Sequence, residues 1–165
     1  MADYTRLSKI LPLALTILIV GCAPKGEALY ARAEKSLGKG DVRAAIIDLK
    51  ALIQTEPQNG KARALLGIAM LANGDPSGAE IELQKAADLG APKDMLLVPN
   101  CRVLLAKGEP EKVLEGCKPE TGPASAQNDL RIVTGGALVR LNRAPEAREQ
   151  FAAAFPDGDA RVLVE

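Results

Sequence analysis

The chain has 165 residues, 47% of them hydrophobic, and 21 acidic side chains balance 21 basic ones, so it can form one domain with no net charge to draw it toward nucleic acid or a charged surface. Histidine is absent, which excludes three-histidine zinc sites, Ser-His-Asp triads and Cys-His dyads. Aromatics are 2% (Tyr4, Tyr30, Phe151, Phe155) and Ala is plentiful, a balance suited to closely packed helices rather than a β-sandwich.

At the N-terminus, Arg6 and Lys9 precede an apolar run from Ile10 to Val20, broken only by Pro12 and Thr16, and Gly21-Cys22 follows. This is the layout of a secretory signal over residues 1–21, with an apolar run too short for a comfortable bilayer span. The ending Ile19-Val20-Gly21-Cys22 resembles a bacterial lipobox. That resemblance implies cleavage before Cys22 and lipid attachment on Cys22, with two or more acyl chains holding the protein on a membrane. An uncleaved N-terminal anchor helix is the alternative, and both place the rest of the chain outside the cytoplasm. Ala23, standing where Asp would retain such a lipoprotein, implies the periplasmic face of the outer membrane. Residues 22–26 read as the lipidated Cys and a tether, because Pro24 and Gly26 resist helix.

The remaining chain divides into helix pairs. Glu27 to Leu37 lacks Gly and Pro and predicts a helix; Gly38-Lys39-Gly40 ends it and Asp41 caps a partner running to about Thr55. A second pair covers Lys61–Ala72 and Pro76–Leu89 around Asn73-Gly74-Asp75. The third covers Asp94–Ala106 and Pro110–Cys117, with Pro99 expected to kink its first helix or delay its start. After the loop Lys118–Pro123, a fourth pair covers Ser125–Leu141 and Pro145 to about Phe155. Residues 157–165 read as a tail or the start of a truncated next repeat.

These pairs recur with a period of 34 residues: Gly40 maps onto Gly74, Gly108 and Asn142, and Ala45 onto Ala79, Val113 and Ala147. Two helices of a hairpin approach closely only where small side chains meet. The first-helix crossings are Ala33, Gly67, Cys101 and Gly135; the second-helix crossings are Ala45, Ala79, Val113 and Ala147. The plugs Leu49, Leu83, Cys117 and Phe151, mostly larger side chains, fill the space one turn on. This pattern resembles the tetratricopeptide repeat, which implies an all-α solenoid of about four helix-turn-helix hairpins (residues 26–59, 60–93, 94–127 and 128–156) in a right-handed superhelix. The strings Lys39-Gly40-Asp41-Val42-Arg43-Ala44-Ala45-Ile46-Ile47-Asp48-Leu49-Lys50, Ala62–Gly67 and Gly78–Ala86 further resemble the start of the repeat lipoproteins of the PEP-CTERM/exosortase system. Those bacterial proteins are associated with exopolysaccharide production and surface-protein sorting, and they carry many more repeats than this chain.

No residue set points to catalysis, a cofactor or a metal. Acidic pairs such as Glu80 and Glu82, or Glu109 and Glu111, read as solvated helix faces. Thr134-Gly135-Gly136 reads as close helix packing rather than a phosphate loop, lacking a preceding strand and a following Gly-Lys-Ser. Cys101 and Cys117 read as two small buried core residues, with a disulfide as the alternative that an oxidising compartment permits. In the resembled repeat the first helices line a concave groove. The positions implied here are Glu27, Tyr30, Glu34, Lys61, Ala64, Ile68, Leu71, Met95, Val98, Arg102, Leu105, Asp129, Ile132, Val139 and Arg140. Of these, Tyr30, Glu34, Lys61, Ile68, Met95, Arg102, Ile132 and Arg140 are the candidate partner-binding residues, suited to a protein or peptide segment docking on an apolar floor with scattered charges. The expected function is a non-enzymatic, membrane-anchored interaction scaffold in exopolysaccharide or surface-protein export. The alternatives are a pilot lipoprotein of another outer-membrane machine and a glycan-binding module, the latter with Tyr30 as its one groove aromatic.

Overall fold

The computed structural model describes residues 25–155; the lipobox, Cys22 and the tail at 157–165 lie outside the described residues. Eight α-helices follow one another: α1 (Lys25–Gly38), α2 (Val42–Thr55), α3 (Gly60–Ala72), α4 (Pro76–Asp88), α5 (Lys93–Ala106), α6 (Pro110–Gly116), α7 (Gln127–Arg140) and α8 (Ala144–Ala154). Two single-turn 3₁₀ helices, Pro119–Thr121 and Ala124–Ala126, join α6 to α7. Helices pack in successive pairs, α1 on α2, α3 on α4, α5 on α6 and α7 on α8. Each second helix also packs on the next first helix, and α1, α3, α5 and α7 touch in series. The fold is an all-α solenoid of four helix hairpins over the described residues, the architecture that the tetratricopeptide-repeat resemblance implies.

Local chemistry sets the hinges. Gly40, Gly74 and Gly108 have φ of 77°, 80° and 78°, and Asn142, at the fourth equivalent position, has φ of 57°. The left-handed turn that reverses each pair therefore recurs with the repeat, and Gly or Asn tolerates it best. Asp41, Asn59 and Asp75 then cap α2, α3 and α4 by accepting from the amides of Ala44, Ala62 and Gly78 at 3.1, 2.9 and 2.8 Å. Glu109 and Arg143 stand at the same place before α6 and α8 without a side-chain cap.

The crossing residues are buried throughout: Ala33, Ala45, Ala79, Val113 and Ala147 are fully enclosed, as are Leu49 and Leu83 among the plugs. A Cβ on Gly67 would stand 2.7 Å from Leu83 Cγ, and one on Gly135 would stand 2.6 Å from Phe151 Cε1. First-helix crossing and plug thus touch directly, and Gly135 serves packing. Its neighbour Thr134 is buried and donates its hydroxyl to the Cys117 carbonyl at 3.1 Å.

Several expectations are corrected. Cys101 and Cys117 are joined in a disulfide with Cα atoms 5.9 Å apart, both buried. They occupy the crossing and plug positions that touch as Gly67–Leu83 and Gly135–Phe151. Matching backbone levels sets Cys117 opposite Leu97, a turn from Cys101; the Cys101 side chain leans toward the N-terminus of α5 and so toward that level, where Cys117 meets it from just past the end of α6, with φ −108° and ψ 59°. Lys25 and Gly26 belong to α1 rather than to a tether, because Gly26 is buried where a Cβ would run into the Glu56 carboxylate and Leu52. Pro99 neither delays nor interrupts α5, which begins at Lys93; one lost backbone bond is tolerated in a helix packed against both α3 and α7. Glu82 is not a solvated face residue: its side chain is 13% exposed and holds Arg63 Nη1 at 2.9 Å and Lys85 Nζ at 2.8 Å.

Candidate functional site

The first helices present their recurring positions to one side, and there α3, α5 and α7 enclose a concavity of about 360 Å³. Its lining is Ile68, Leu71 and Ala72 from α3, Pro99, Arg102, Leu105 and Ala106 from α5, and Arg140 from α7. Apolar side chains make the floor because each helix must hold its neighbours on both sides, while the wider first-helix face remains open between repeats. The two guanidiniums are already oriented. Arg102 Nη2 meets Asp129 Oδ1 at 2.6 Å, with both side chains 47% exposed. Arg140 Nη1 donates to the Leu105 carbonyl in the last turn of α5, a carbonyl that also accepts from the Gly108 amide at 3.1 Å. An exposed pair of the Arg102–Asp129 kind contributes little to stability, so either group can exchange its partner for a ligand's. A guanidinium has five donors, and these two bring charge and hydrogen bonding to an otherwise aliphatic surface.

A second concavity of about 300 Å³ lies at the N-terminal end, lined by Gly26, Glu27, Tyr30, Glu56, Asn59 and Lys61. Asn59 Nδ2 donates to Glu56 Oε2 at 2.8 Å. Burial, and after it the Glu34 carboxylate, pushes the Tyr30 hydroxyl above the ordinary tyrosine value. The phenol therefore stays neutral and able to donate at neutral pH.

The eight candidate residues are thus divided. Ile68, Arg102 and Arg140 share the first concavity, and Tyr30 and Lys61 share the second. Glu34, Met95 and Ile132 line neither; half-buried Met95 packs against the cores around Leu52 and Leu83. Ala64 is fully buried between α3, α4 and α5 and is not a groove residue, since a methyl group there lies beneath the approach of the next helix. Sequence reasoning missed Ala72, Pro99 and Ala106. Ala72 and Ala106 stand at the repeat position of Arg140 and were discoverable from the period, whereas Pro99 has no repeat signal.

Residues 36–92 match the tetratricopeptide repeat family. Bacteriophage adsorption protein A of Escherichia coli (strain K12) is 34% identical over 79 residues, which is 48% of this chain and 8% of that protein. The chain therefore spans less than a tenth of that relative's length. With the eight α-helices of the described residues in successive packed pairs, these findings support a tetratricopeptide-repeat protein, a class that serves as a scaffold for protein–protein interaction.

Proposed function

We propose that the chain is a non-enzymatic scaffold, lipid-anchored through Cys22 at the periplasmic face of the outer membrane, that docks protein segments during exopolysaccharide or PEP-CTERM surface-protein export. The observation that carries the docking reading is the concavity between α3, α5 and α7, with an aliphatic floor and two oriented guanidiniums. Apolar area supplies binding energy there, and charge selects partner and register. The envelope reading draws support from the Cys101–Cys117 bridge, since buried structural disulfides persist in oxidising compartments. The export reading rests on the Gly40–Lys50 wording of the first repeat and on the lipobox.

The docking test places a photocrosslinking side chain at Leu71 or at Leu105 in cells carrying the native gene neighbourhood. Crosslinks to one envelope protein, abolished by Arg102→Glu with Arg140→Glu, are expected. Crosslinks to polysaccharide alone would replace protein docking by glycan binding. Cys22→Ser is expected to release the protein from membranes, and unchanged fractionation would overturn the anchor.

A further inference from the structure

The two most exposed of the large apolar side chains among the described residues are not in the groove. Ile47 is 67% and Ile81 55% exposed. They lie 34 residues apart, at one repeat position on the successive second helices α2 and α4, so they face the same side, away from the concavity. The third and fourth repeats place Glu115 and Glu149 there, the charged residue expected of a solvated helix face. One turn away on the same faces stand Arg43, Ala44, Lys50 and Ala51 around Ile47, and Ser77, Gly78, Gln84 and Lys85 around Ile81. None is acidic. Arg43 and Lys50 are exposed and make no ion pair among the described residues, while Lys85 shares its charge with Glu82.

We infer that this outer face of α2 and α4 is a contact surface for anionic phospholipid, with Ile47 and Ile81 entering the acyl boundary and Arg43, Lys50 and Lys85 meeting the headgroups. Apolar side chains collared by cations with long aliphatic stems suit that boundary, the stems lying along hydrocarbon and the charges reaching phosphate. The inference rests on the lipid-anchor reading, which supplies its geometry. Lys25 begins α1 three positions after Cys22, a reach of at most about 10 Å. Gly26 abuts Leu52 and Glu56 at the far end of α2, so α2 runs beside the anchor, and Ile47 lies only about 8 Å along its axis from Leu52. A lipid at Cys22 therefore brings this face, rather than the third and fourth repeats, to the membrane, and leaves the groove open to partners.

The chain has no tryptophan, so Ile47→Trp and Ile81→Trp each introduce a single reporter at an exposed position, with Glu115→Trp as the control. Each full-length variant is mixed with vesicles of phosphatidylcholine carrying brominated acyl chains, with and without an equal share of phosphatidylglycerol. Flotation shows which protein is bound. The expected result is quenching of the reporters of Ile47→Trp and Ile81→Trp, several-fold greater with phosphatidylglycerol, and none for Glu115→Trp. Variants that float while neither isoleucine-site reporter is quenched would overturn the lipid contact and leave the anchor standing. Variants that do not float would overturn both. Equal quenching at all three positions, or quenching indifferent to phosphatidylglycerol, would overturn the assigned face or its headgroup chemistry respectively. A blue shift produced by envelope protein and not by vesicles would give the face to a protein partner instead.

Discussion

Replacing Gly135 by Ala tests the packing rule on which the solenoid rests. In a helix interior the change by itself favours folding by about 1 kcal/mol, the difference in helix propensity between the two residues. The new Cβ, however, would stand 2.6, 2.8 and 2.9 Å from three atoms of the Phe151 ring. Phe151 is buried and its flat ring has no soft end to fold away, so the contact costs about 1–3 kcal/mol of overpacking. The net expectation is a loss of up to about 2 kcal/mol. Phe151→Leu alone removes ring volume and costs on the order of 1 kcal/mol. Combined, the two changes reproduce the Ala33–Leu49 pair of the first repeat, in which both residues are fully buried. The clash disappears, the propensity gain returns, and a favourable coupling of about 1–3 kcal/mol appears between the two sites. The assay is urea unfolding of the four proteins of the cycle, compared at constant m-value because repeat arrays lose cooperativity when one unit is weakened. A stabilised Gly135→Ala protein with zero coupling to Phe151→Leu would refute the contact and the register with it.

Serine at both Cys101 and Cys117 is expected to cost about 3 kcal/mol, the loop-closure value for a link of this length; alkylation of both residues in the denatured, unreduced protein would refute the bridge. Thr134→Val keeps the shape but deprives the buried Cys117 carbonyl of its donor, and a loss of about 1–3 kcal/mol in chemical denaturation is expected; an unchanged midpoint would show that another donor serves that carbonyl. Asp48 is buried and takes Arg32 Nε at 2.6 Å on one carboxylate oxygen and Arg32 Nη2 on the other. The Arg32 hydrogen bonds, outweighing burial, hold its carboxyl below the usual range. Its contribution is complete above the unfolded value of about 3.9 and is lost as pH falls through the folded value. The melting temperature should therefore fall in acid less steeply in Asp48→Asn than in wild type, and parallel profiles would show that the pair has no linkage.

What was legible in the sequence was what neighbours along the chain decide. Gly40, Gly74, Gly108 and Asn142 announce the hinges, Asp41 and Asp75 the caps, and Ala or Gly at the crossings the close approach. Contacts between repeats left no such mark. The Arg102–Asp129 pair joins residues 27 apart and the Arg140–Leu105 bond residues 35 apart, and which donor meets which acceptor depends on how one repeat is rotated on the next. Gly26 looked like a helix breaker because its partner, the end of α2, is invisible to local propensity. The disulfide escaped for a similar reason: backbone levels can be counted from sequence, but the lean of side chains off the helices decides which residues touch.

The third repeat shows why that distinction matters to the groove. Its second helix, α6, has 7 residues where α2 has 14 and α4 has 13, and its plug is Cys117 where the others are Leu or Phe. A short helix with a small plug offers little side-chain volume to hold α5, and α5 supplies Pro99, Arg102, Leu105 and Ala106 to the concavity. The covalent bond from Cys101 to Cys117 and the hydrogen bond from Thr134 to the Cys117 carbonyl stand where packing is thinnest. Losing the bridge should therefore disturb the concavity before it melts the first two repeats, whose cores around Leu52 and Leu83 do not include either cysteine. Cys117, by which the third repeat departs from the plug pattern, is thus the residue through which its groove-lining helix is fixed in place.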